Sequence, residues 1–147
     1  MNTAAIMLPL VCTAYLHTYN SVRQGLEIMH RHGYTAIPVL DEDEKYVGCV
    51  SEGDFLRHVL ATGETDTRAH ERYKIDDIIR KDFCPPLEIT ATLPQVVDAV
   101  LDQNFVPIVD GRGCLCGIVT RRSVIVWLSK AKDIENAALA PSARNVD

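Results

Sequence analysis

The sequence predicts an α/β protein made of two copies of one unit, in which a strand is followed by a helix, two strands and a second helix. The first observation is a repeat, because a shift of 69 residues superposes the strands and turns of the two halves. A shift of 71 residues aligns the apolar positions of the preceding helices. The matching pairs are Pro38 with Pro107, Asp41 with Asp110, Gly48 with Gly117, Val50 with Val119, Ser51 with Thr120, Val22 with Leu93, Leu26 with Val97 and Met29 with Val100.

Chain length is the second observation. The 147 residues suffice for one ordinary domain or for two very small units that share a core. Each half alone offers three strands and two helices, which are too few to bury a stable core. We therefore expect the halves to pack on each other about a pseudo-twofold axis.

The elements of the first half follow from cap and turn signals. Ser21 and Gln24 form the pattern of a capping box, and Gly33 is placed to end that helix in a left-handed conformation. Gly63 ends the second helix in the same way. The expected elements are a strand over residues 12–16, a helix over 21–33, strands over 36–40 and 46–50, and a helix over 51–61.

The second half begins after a polar segment that lacks apolar periodicity. Ile75, Ile78 and Ile79 then indicate a short helix, and Thr92 with Pro94 opens a longer one. Strands are expected over residues 87–90, 105–109 and 114–119, and the last helix over 121–132. The predicted boundaries are 8–63 for the first repeat, 64–74 for a linker, 75–132 for the second repeat and 133–147 for a C-terminal tail, which we expect to be loose from Ala137.

Composition and charge restrict the function classes. The chain is 47% apolar and 24% charged, as soluble globular proteins are, and its net charge of −5 argues against nucleic acid as a main partner. The apolar run over residues 4–12 is interrupted by Pro9 and has no basic residue before it. We therefore expect neither a signal peptide nor a membrane span, and we place the protein in the cytoplasm.

Cysteine usage agrees with a reducing compartment. The five cysteines are odd in number and mostly lie among apolar residues, as reduced thiols do. Cys114 and Cys116 share one side of a strand and could begin a metal or redox site, but no second pair or histidine stands at ligand spacing. We predict no metal site.

Arg121 and Arg122 are expected in the first turn of the last helix, where free N–H groups and the helix dipole favour acidic residues. Backbone N–H groups combined with guanidinium groups are a common arrangement for holding phosphate. The turn from Thr120 to Arg122 therefore predicts a site for a phosphate-bearing small ligand. The alternative is that both arginines are solvated, or paired with acids across a dimer.

Four segments together resemble a pair of CBS domains, known as a Bateman module. They are residues 33–39 (Gly-Tyr-Thr-Ala-Ile-Pro-Val), 48–54 (Gly-Cys-Val-Ser-Glu-Gly-Asp), 105–110 (Phe-Val-Pro-Ile-Val-Asp) and 117–123 (Gly-Ile-Val-Thr-Arg-Arg-Ser). The resemblance covers residues 8–132, nearly the whole chain. Within the family, the segments are most similar to small stand-alone CBS proteins of Gram-positive bacteria, some of which bind cyclic di-AMP.

The resemblance implies a cleft between the repeats that holds an adenine nucleotide. Ser51 and Asp54 match the hydroxyl and the ribose-binding carboxylate of the family pattern, although this spacing is also a helix-capping pattern, and Pro38 and Pro107 could simply mark edge strands. In the second copy Ser123 replaces the aspartate. The implied ligand-binding residues are Ala14, Tyr34, Thr35, Ala36, Ile37, Pro38, Ser51, Asp54, Phe105, Val106, Pro107, Thr120, Arg121 and Arg122.

Two residues bear on which nucleotide is bound. Cyclic di-AMP-binding relatives usually have a lysine where this chain has Cys12. A ribose with free 2′ and 3′ hydroxyls suits Asp54 better than one whose 3′ oxygen is esterified. The candidate ligands are therefore cyclic di-AMP and AMP, ADP or ATP.

The predicted function is regulatory. The sequence has no P-loop, nucleophile elbow, zinc signature or paired carboxylates, so we predict no enzyme and no obligatory cofactor, only an adenine nucleotide as regulatory ligand. We expect a homodimer, because the helices after the repeated strands carry Phe55, Val59, Trp127 and Leu128, more apolar surface than a small sheet can cover. We also expect the protein to signal to an unidentified partner protein. The alternative is a ligand-independent dimerisation or interaction scaffold whose clefts are filled by side chains such as Tyr34 or Phe105.

Overall fold

The structure, a computed structural model, describes residues 3–139. Its strands and α-helices are β1 (Leu8–Pro9), β2 (Leu16–His17), α1 (Val22–His32), β3 (Ala36–Leu40), β4 (Tyr46–Ser51), α2 (Glu52–Thr62), β5 (Leu87–Glu88), α3 (Leu93–Asp102), β6 (Phe105–Val109), β7 (Leu115–Thr120) and α4 (Arg121–Leu139). Short 3₁₀ helices occupy Thr3–Ala5, Leu10–Cys12, Thr67–Arg72 and Ile75–Asp77.

The strands form two sheets, which confirms the predicted α/β fold of two equivalent units. One sheet has the order β2-β3-β4, and the other β1-β7-β6-β5. In each unit a short strand runs parallel to the central strand, which pairs antiparallel with the next. The registers are equivalent, since Pro38 lies opposite Cys49 and Pro107 lies opposite Ile118.

Local signals set the ends of α1 as predicted. The Ser21 hydroxyl accepts a hydrogen bond from the Gln24 backbone at 3.1 Å, and the Gln24 side chain accepts one from the Ser21 backbone at 2.9 Å. This capping box satisfies two N–H groups that would otherwise lack partners. Gly33 ends the helix with a φ of 67°, which glycine adopts without steric cost.

Each sheet covers its own apolar core. In the first unit Ile37, Val39 and Val50 pack with Phe55 and with Ile75, the residue that follows the linker. The second core contains Val96, Val100, Val106, Ile108, Val119 and Val124, together with Ile6 from the N-terminal segment. Each core therefore takes a side chain from a segment that leads into a repeat.

The segments that lead into the two repeats cross onto the opposite sheet. Strand β1, at the very start of the first repeat, pairs with β7 so that Leu8 lies opposite Ile118. The backbone of Arg80, which precedes β5, bridges to Cys49 in β4. A Cβ on Gly117 would overlap the carbonyl oxygen of Leu8. The sequence analysis missed β1, because two residues carry no periodic signal.

Gly48 is the counterpart of Gly117 at the other crossing. A Cβ placed there would lie 2.7 Å from the carbonyl oxygen of Arg80, closer than a real Cβ contact allows. Both crossings therefore require a residue without a side chain.

Two predicted elements differ from the structure. The strand expected over residues 12–16 is reduced to Leu16–His17, because the chain turns after β1 through the 3₁₀ helix Leu10–Cys12. The Thr13 hydroxyl closes that turn with a hydrogen bond to the Pro9 carbonyl at 2.9 Å.

The last helix, predicted over residues 121–132, continues to Leu139. Residues 133–139 contain no glycine or proline and include four residues with strong helix propensity, so nothing local ends the helix. The prediction of a loose tail from Ala137 is therefore wrong for residues 137–139. Residues 140–147 lie outside the described range.

The predicted linker is an ordered segment. Its 3₁₀ helix, Thr67–Arg72, contains His70, which is 1% exposed. The two ring nitrogens of His70 lie 2.9 Å from the Glu64 carbonyl oxygen and 3.1 Å from His58 Nε2. Hydrogen bonding thus allows a segment without apolar periodicity to pack against α1.

Within residues 3–139 no helix is both long and apolar enough to span a membrane. Across the same range, no group of three potential metal-ligating side chains comes together, and Cys114 and Cys116 are half-buried thiols.

A glycine substitution tests the crossing of β1. Gly117→Ala should lower the free energy of unfolding by about 1–3 kcal/mol, because the new methyl group forces β1 away from β7. The matched control is Gly111→Ala in the β6–β7 turn, where a Cβ would have no neighbour within 4 Å. Urea denaturation of both variants provides the measurement, and equal stabilities would contradict the crossing.

Candidate functional site

A cavity of about 200 Å³ lies between the two repeats, where β3 and β6 begin and β7 ends. Tyr34 and Phe105 contribute aromatic rings to a mostly apolar wall, which also includes residues with hydroxyl or amide groups. The lining residues are Leu8, Thr13, Ala14, Tyr34, Thr35, Ala36, Pro38, Asn104, Phe105, Ile118 and Thr120. An apolar cavity with a few polar groups is typical of small-molecule sites.

Strand alternation explains which residues reach the cavity. Ala36 and Pro38 are two positions apart on β3 and therefore lie on the same side of the sheet. Ile37, between them, is fully buried in the first core. Phe105 begins β6 and lies opposite Thr120, the last residue of β7. The sheet register thus places an aromatic ring beside a hydroxyl at the start of α4.

Seven of the fourteen predicted ligand-binding residues line the cavity. They are Ala14, Tyr34, Thr35, Ala36, Pro38, Phe105 and Thr120. The seven that do not line it are Ile37, Ser51, Asp54, Val106, Pro107, Arg121 and Arg122. Ile37 and Val106 belong to the two cores, and Ser51 and Asp54 lie at the equivalent turn of the other repeat.

Four lining residues were not predicted, namely Leu8, Thr13, Asn104 and Ile118. The repeat could have identified Asn104, because the 69-residue shift matches it with Thr35. Leu8 lies on β1 and reaches the cavity only through the unpredicted crossing. Cys12, the residue that the resemblance matched to a lysine, is exposed and is not a lining residue.

The turn at Thr120 is polar but uncharged. The Thr120 backbone N–H donates to the Ser123 hydroxyl at 2.8 Å, and the Ser123 N–H donates to the Thr120 hydroxyl at 3.0 Å. These two residues cap the start of α4 reciprocally, as a serine or threonine and a glutamate do in the usual capping box. The cavity therefore has hydroxyl groups and a helix N-terminus at its rim, but no carboxylate at this turn.

Arg121 points to a neighbouring helix. Its Nε donates to the Val100 carbonyl at 2.7 Å, and its Nη2 lies 3.3 Å from the Leu101 carbonyl. Both acceptors are in the last turn of α3, where carbonyl groups lack helical partners and the dipole favours a cation. The charge that is unfavourable at the start of α4 is thus stabilised at the end of α3.

Arg122 is exposed beside the Thr120 turn. Its side chain forms no ion pair or hydrogen bond with any residue in the range 3–139. The phosphate-binding roles of Arg121 and Arg122 stay predictions. To bind a phosphate, Arg121 would have to give up its hydrogen bonds to α3, whereas the side chain of Arg122 has no such bonds to break.

The Ser51–Asp54 turn holds a buried charge. Asp54 is 5% exposed, and its carboxylate accepts hydrogen bonds from the Ser51 backbone at 2.7 Å and from the Ser51 hydroxyl at 2.9 Å. Arg57 and Arg80 pair with the same carboxylate. Asp54 is therefore engaged within the chain.

The matching sequence family is the one described as CBS domain, at residues 9–61 and 75–130. The chain belongs to this family, with two CBS domains arranged as a Bateman module. The predicted resemblance is confirmed.

Relatives within the family include nucleotide-binding proteins. Cyclic di-AMP receptor B of Bacillus subtilis is 24% identical over 117 residues, which are 80% of this chain and 79% of the receptor. The crystal structure of the CbpB protein of Listeria monocytogenes in complex with c-di-AMP is 27% identical, has a TM-score of 0.76, and covers 89% of this chain and 97% of that one.

CBSX2, whose crystal structure is in complex with AMP, is 22% identical with a TM-score of 0.74, and the match covers 89% of this chain and 98% of CBSX2. At this identity the likeness shows the shared fold.

The contact between Arg121 and α3 predicts a difference between the adjacent arginines. Arg121→Ala should lower the free energy of unfolding by about 1 kcal/mol, because two carbonyl groups at the end of α3 lose their donor. Arg122→Ala, the matched control, should leave stability unchanged or raise it slightly, because it removes a cation from a helix N-terminus. Chemical denaturation distinguishes the two variants, and a less stable Arg122→Ala would contradict this assignment.

Proposed function

We propose that this protein is a non-catalytic sensor that binds an adenine nucleotide in the cavity between its CBS repeats, with cyclic di-AMP as the first candidate. The observation that carries the proposal is the cavity itself, which collects seven predicted ligand-binding residues from both repeats. The choice of ligand is supported by the Bacillus relative, which is named as a cyclic di-AMP receptor, and by the Listeria relative, whose crystal structure is a complex with c-di-AMP.

The geometry suits a base inside the cavity and phosphates at its rim. At about 200 Å³ the cavity is smaller than the 300–1,000 Å³ of typical ligand pockets, so only part of a dinucleotide would enter. Tyr34 and Phe105 would contact the base by stacking, which is favourable for any aromatic ring system. A phosphate would then lie near the start of α4, where Thr120 and Arg122 supply a hydroxyl and a guanidinium.

The Thr120 turn favours an esterified ribose. Ser123 stands where the other repeat has Asp54, so no carboxylate at this turn competes with a phosphodiester. A carboxylate would accept hydrogen bonds from free 2′ and 3′ hydroxyls but would repel a nearby phosphate. Asp54 does not line this cavity, so it cannot bind the free ribose hydroxyls of AMP, ADP or ATP there.

Arg121 offers a way for the ligand to change the protein. A phosphate near α4 competes with the carbonyls of Val100 and Leu101 for the Arg121 guanidinium. If the Arg121 guanidinium moves from these carbonyls to the phosphate, the end of α3 loses a hydrogen-bond donor and the contact between α3 and α4 changes. A partner protein that binds one of the two states more tightly would read the nucleotide level.

We also propose a homodimer formed through the helices, although not through all the residues first predicted. Phe55 is 3% exposed and is therefore unavailable, and Trp127 is partly buried against the second core. The exposed apolar residues of these helices are Leu56, Leu60, Leu101, Ile125, Val126 and Leu128. Pairing of two copies through this surface would remove it from water.

Thermal unfolding with a nucleotide panel tests the sensor function. Ligand at a thousandfold excess over its dissociation constant should stabilise the protein by about 4 kcal/mol. We expect cyclic di-AMP to raise the midpoint more than AMP, ADP, ATP, related dinucleotides or S-adenosylmethionine. If none of them raises it, the ligand-independent scaffold is the correct function; a larger shift with AMP would replace cyclic di-AMP as the ligand.

Titration calorimetry tests the phosphate contact. Arg122→Ala should weaken binding of the panel's best ligand at least tenfold, since a hydrogen bond to a charged group contributes about 1.5–3 kcal/mol. The control is Arg112→Ala, because Arg112 is an exposed arginine in the β6–β7 turn, at the opposite end of β7 from Thr120. Equal affinity of both variants would show that the phosphate does not contact Arg122.

Light scattering tests the dimer. We expect a mass near twice 16.3 kDa at micromolar concentration, and a mass near 16.3 kDa for Leu56→Glu combined with Leu60→Glu, because buried charge opposes association. Val11→Glu is the control, since Val11 is 93% exposed but lies outside the helices α1 to α4. A monomeric wild type would contradict the dimer.

A further inference from the structure

A second, smaller cavity is the pseudo-symmetric counterpart of the nucleotide cavity. Its volume is about 80 Å³, and it shares Ala36, Asn104 and Phe105 with the larger one. The 69-residue shift exchanges Ala36 and Phe105, and it also matches Cys49 with Ile118 and Asn104 with Thr35. Equivalent residues therefore line both cavities, but the second is less than half as large.

The smaller cavity is narrowed by the segment that leads into the second repeat. Phe83 and Cys84 form part of its wall. The Cys84 thiol lies 3.3 Å from the Phe105 carbonyl oxygen, and the Gln103 amide donates to its sulfur at 3.2 Å. The Cys84 carbonyl accepts a hydrogen bond from the Tyr46 hydroxyl at 2.5 Å. This segment is held against both repeats.

Arg80 fills the space between Phe83 and the Ser51–Asp54 turn. Its guanidinium carbon lies 3.6 Å from the centre of the Phe83 ring, a cation–π contact. Its Nη2 donates to the Ser51 hydroxyl at 3.0 Å, and its Nε lies 2.7 Å from Asp54 Oδ1. The Arg80 backbone N–H donates to the Cys49 carbonyl at 3.3 Å. Both the backbone and the side chain of Arg80 are thus anchored at this turn.

The Asp54 carboxylate is surrounded by partners within the chain: it accepts three hydrogen bonds, from the Ser51 N–H, the Ser51 hydroxyl and Arg57, and forms an ion pair with Arg80. A carboxylate offers about four lone-pair sites on its two oxygens. The Ser51 N–H and hydroxyl contact Oδ2, while Arg57 and Arg80 contact Oδ1. A ribose diol that bound Asp54 Oδ1 and the Ser51 hydroxyl would have to displace Arg80, because the Arg80 guanidinium contacts both of these oxygens.

We propose that Arg80 is an internal ligand that closes the second nucleotide site, so that each chain binds one nucleotide, and that its removal opens a site for 5′-ribonucleotides with free 2′ and 3′ hydroxyls. Arg80 is therefore the residue that determines the number of sites and excludes monoribonucleotides from the Asp54 turn. The statement that each chain binds one nucleotide depends on the proposed function, whereas the statement that Arg80 masks Asp54 does not.

Titration calorimetry with AMP tests the masking. Arg80→Ala should bind one more AMP per chain than the wild type, and Arg80→Ala combined with Asp54→Asn should lose at least tenfold in affinity for that additional AMP. Arg57→Ala is the matched control: Arg57 pairs with the same Asp54 oxygen, but only Arg80 also contacts the Ser51 hydroxyl and the ring of Phe83 in the cavity wall, so the stoichiometry of Arg57→Ala should equal that of the wild type. Arg80→Gln provides a second variant if circular dichroism shows that Arg80→Ala is unfolded.

The outcomes separate this inference from the proposed function. Additional AMP binding by the Arg80 variants that depends on Asp54 supports the masking, even if the wild type binds no nucleotide. An unchanged stoichiometry in folded Arg80→Ala overturns it, whether or not the wild type binds one nucleotide. Two equivalents of AMP on the wild type, one of them lost in Asp54→Asn, would overturn it as well.

Discussion

The fold depends on two close backbone approaches, where the carbonyl oxygens of Leu8 and Arg80 meet Gly117 and Gly48. Each carbonyl belongs to a segment that leads into one repeat, and each glycine lies in a strand of the other repeat. Neither position has room for a Cβ. The two small units are therefore held together by exchanged backbone segments as well as by side-chain packing, which explains how sheets of three and four strands share one stable domain.

The two crossing segments also explain why different residues surround the two cavities. One crossing segment brings Leu8, an apolar wall residue, to the cavity at Thr120. The other brings Arg80 and Phe83 to the turn at Ser51. This difference in the two turns correlates with the charge of the residue three positions after Ser51 or Thr120. The buried carboxylate of Asp54 requires cationic partners, whereas the neutral Ser123 requires none. A single acidic residue thus makes two equivalent folds chemically unequal.

Sequence reasoning was most successful where the information is local or repeated. Capping residues such as Ser21 and Gly33 set helix ends through bonds to neighbours a few residues away, and the 69-residue repeat identified the strands on both sides of the cavity. It failed where two residues suffice for an element, as in β1, and where a polar segment packs through hydrogen bonds, as around His70. The pairing of Arg80 with Asp54 joins residues 26 positions apart, and no local pattern encodes that contact.

Arg121 shows how a correct physical premise can have more than one structural solution. Its position at the start of α4 does require a compensating negative partner, as the sequence indicated. The end of α3 supplies that partner with two carbonyl groups, which carry only a partial charge. A phosphate carries a full charge and forms stronger bonds with a guanidinium than neutral carbonyls do. Because carbonyls are weaker acceptors than a phosphate, the contact with α3 stabilises Arg121 without preventing it from exchanging to an anion. A sensor needs two such arrangements that differ by a few kcal/mol, since a ligand can shift an equilibrium only by its difference in affinity for the two states.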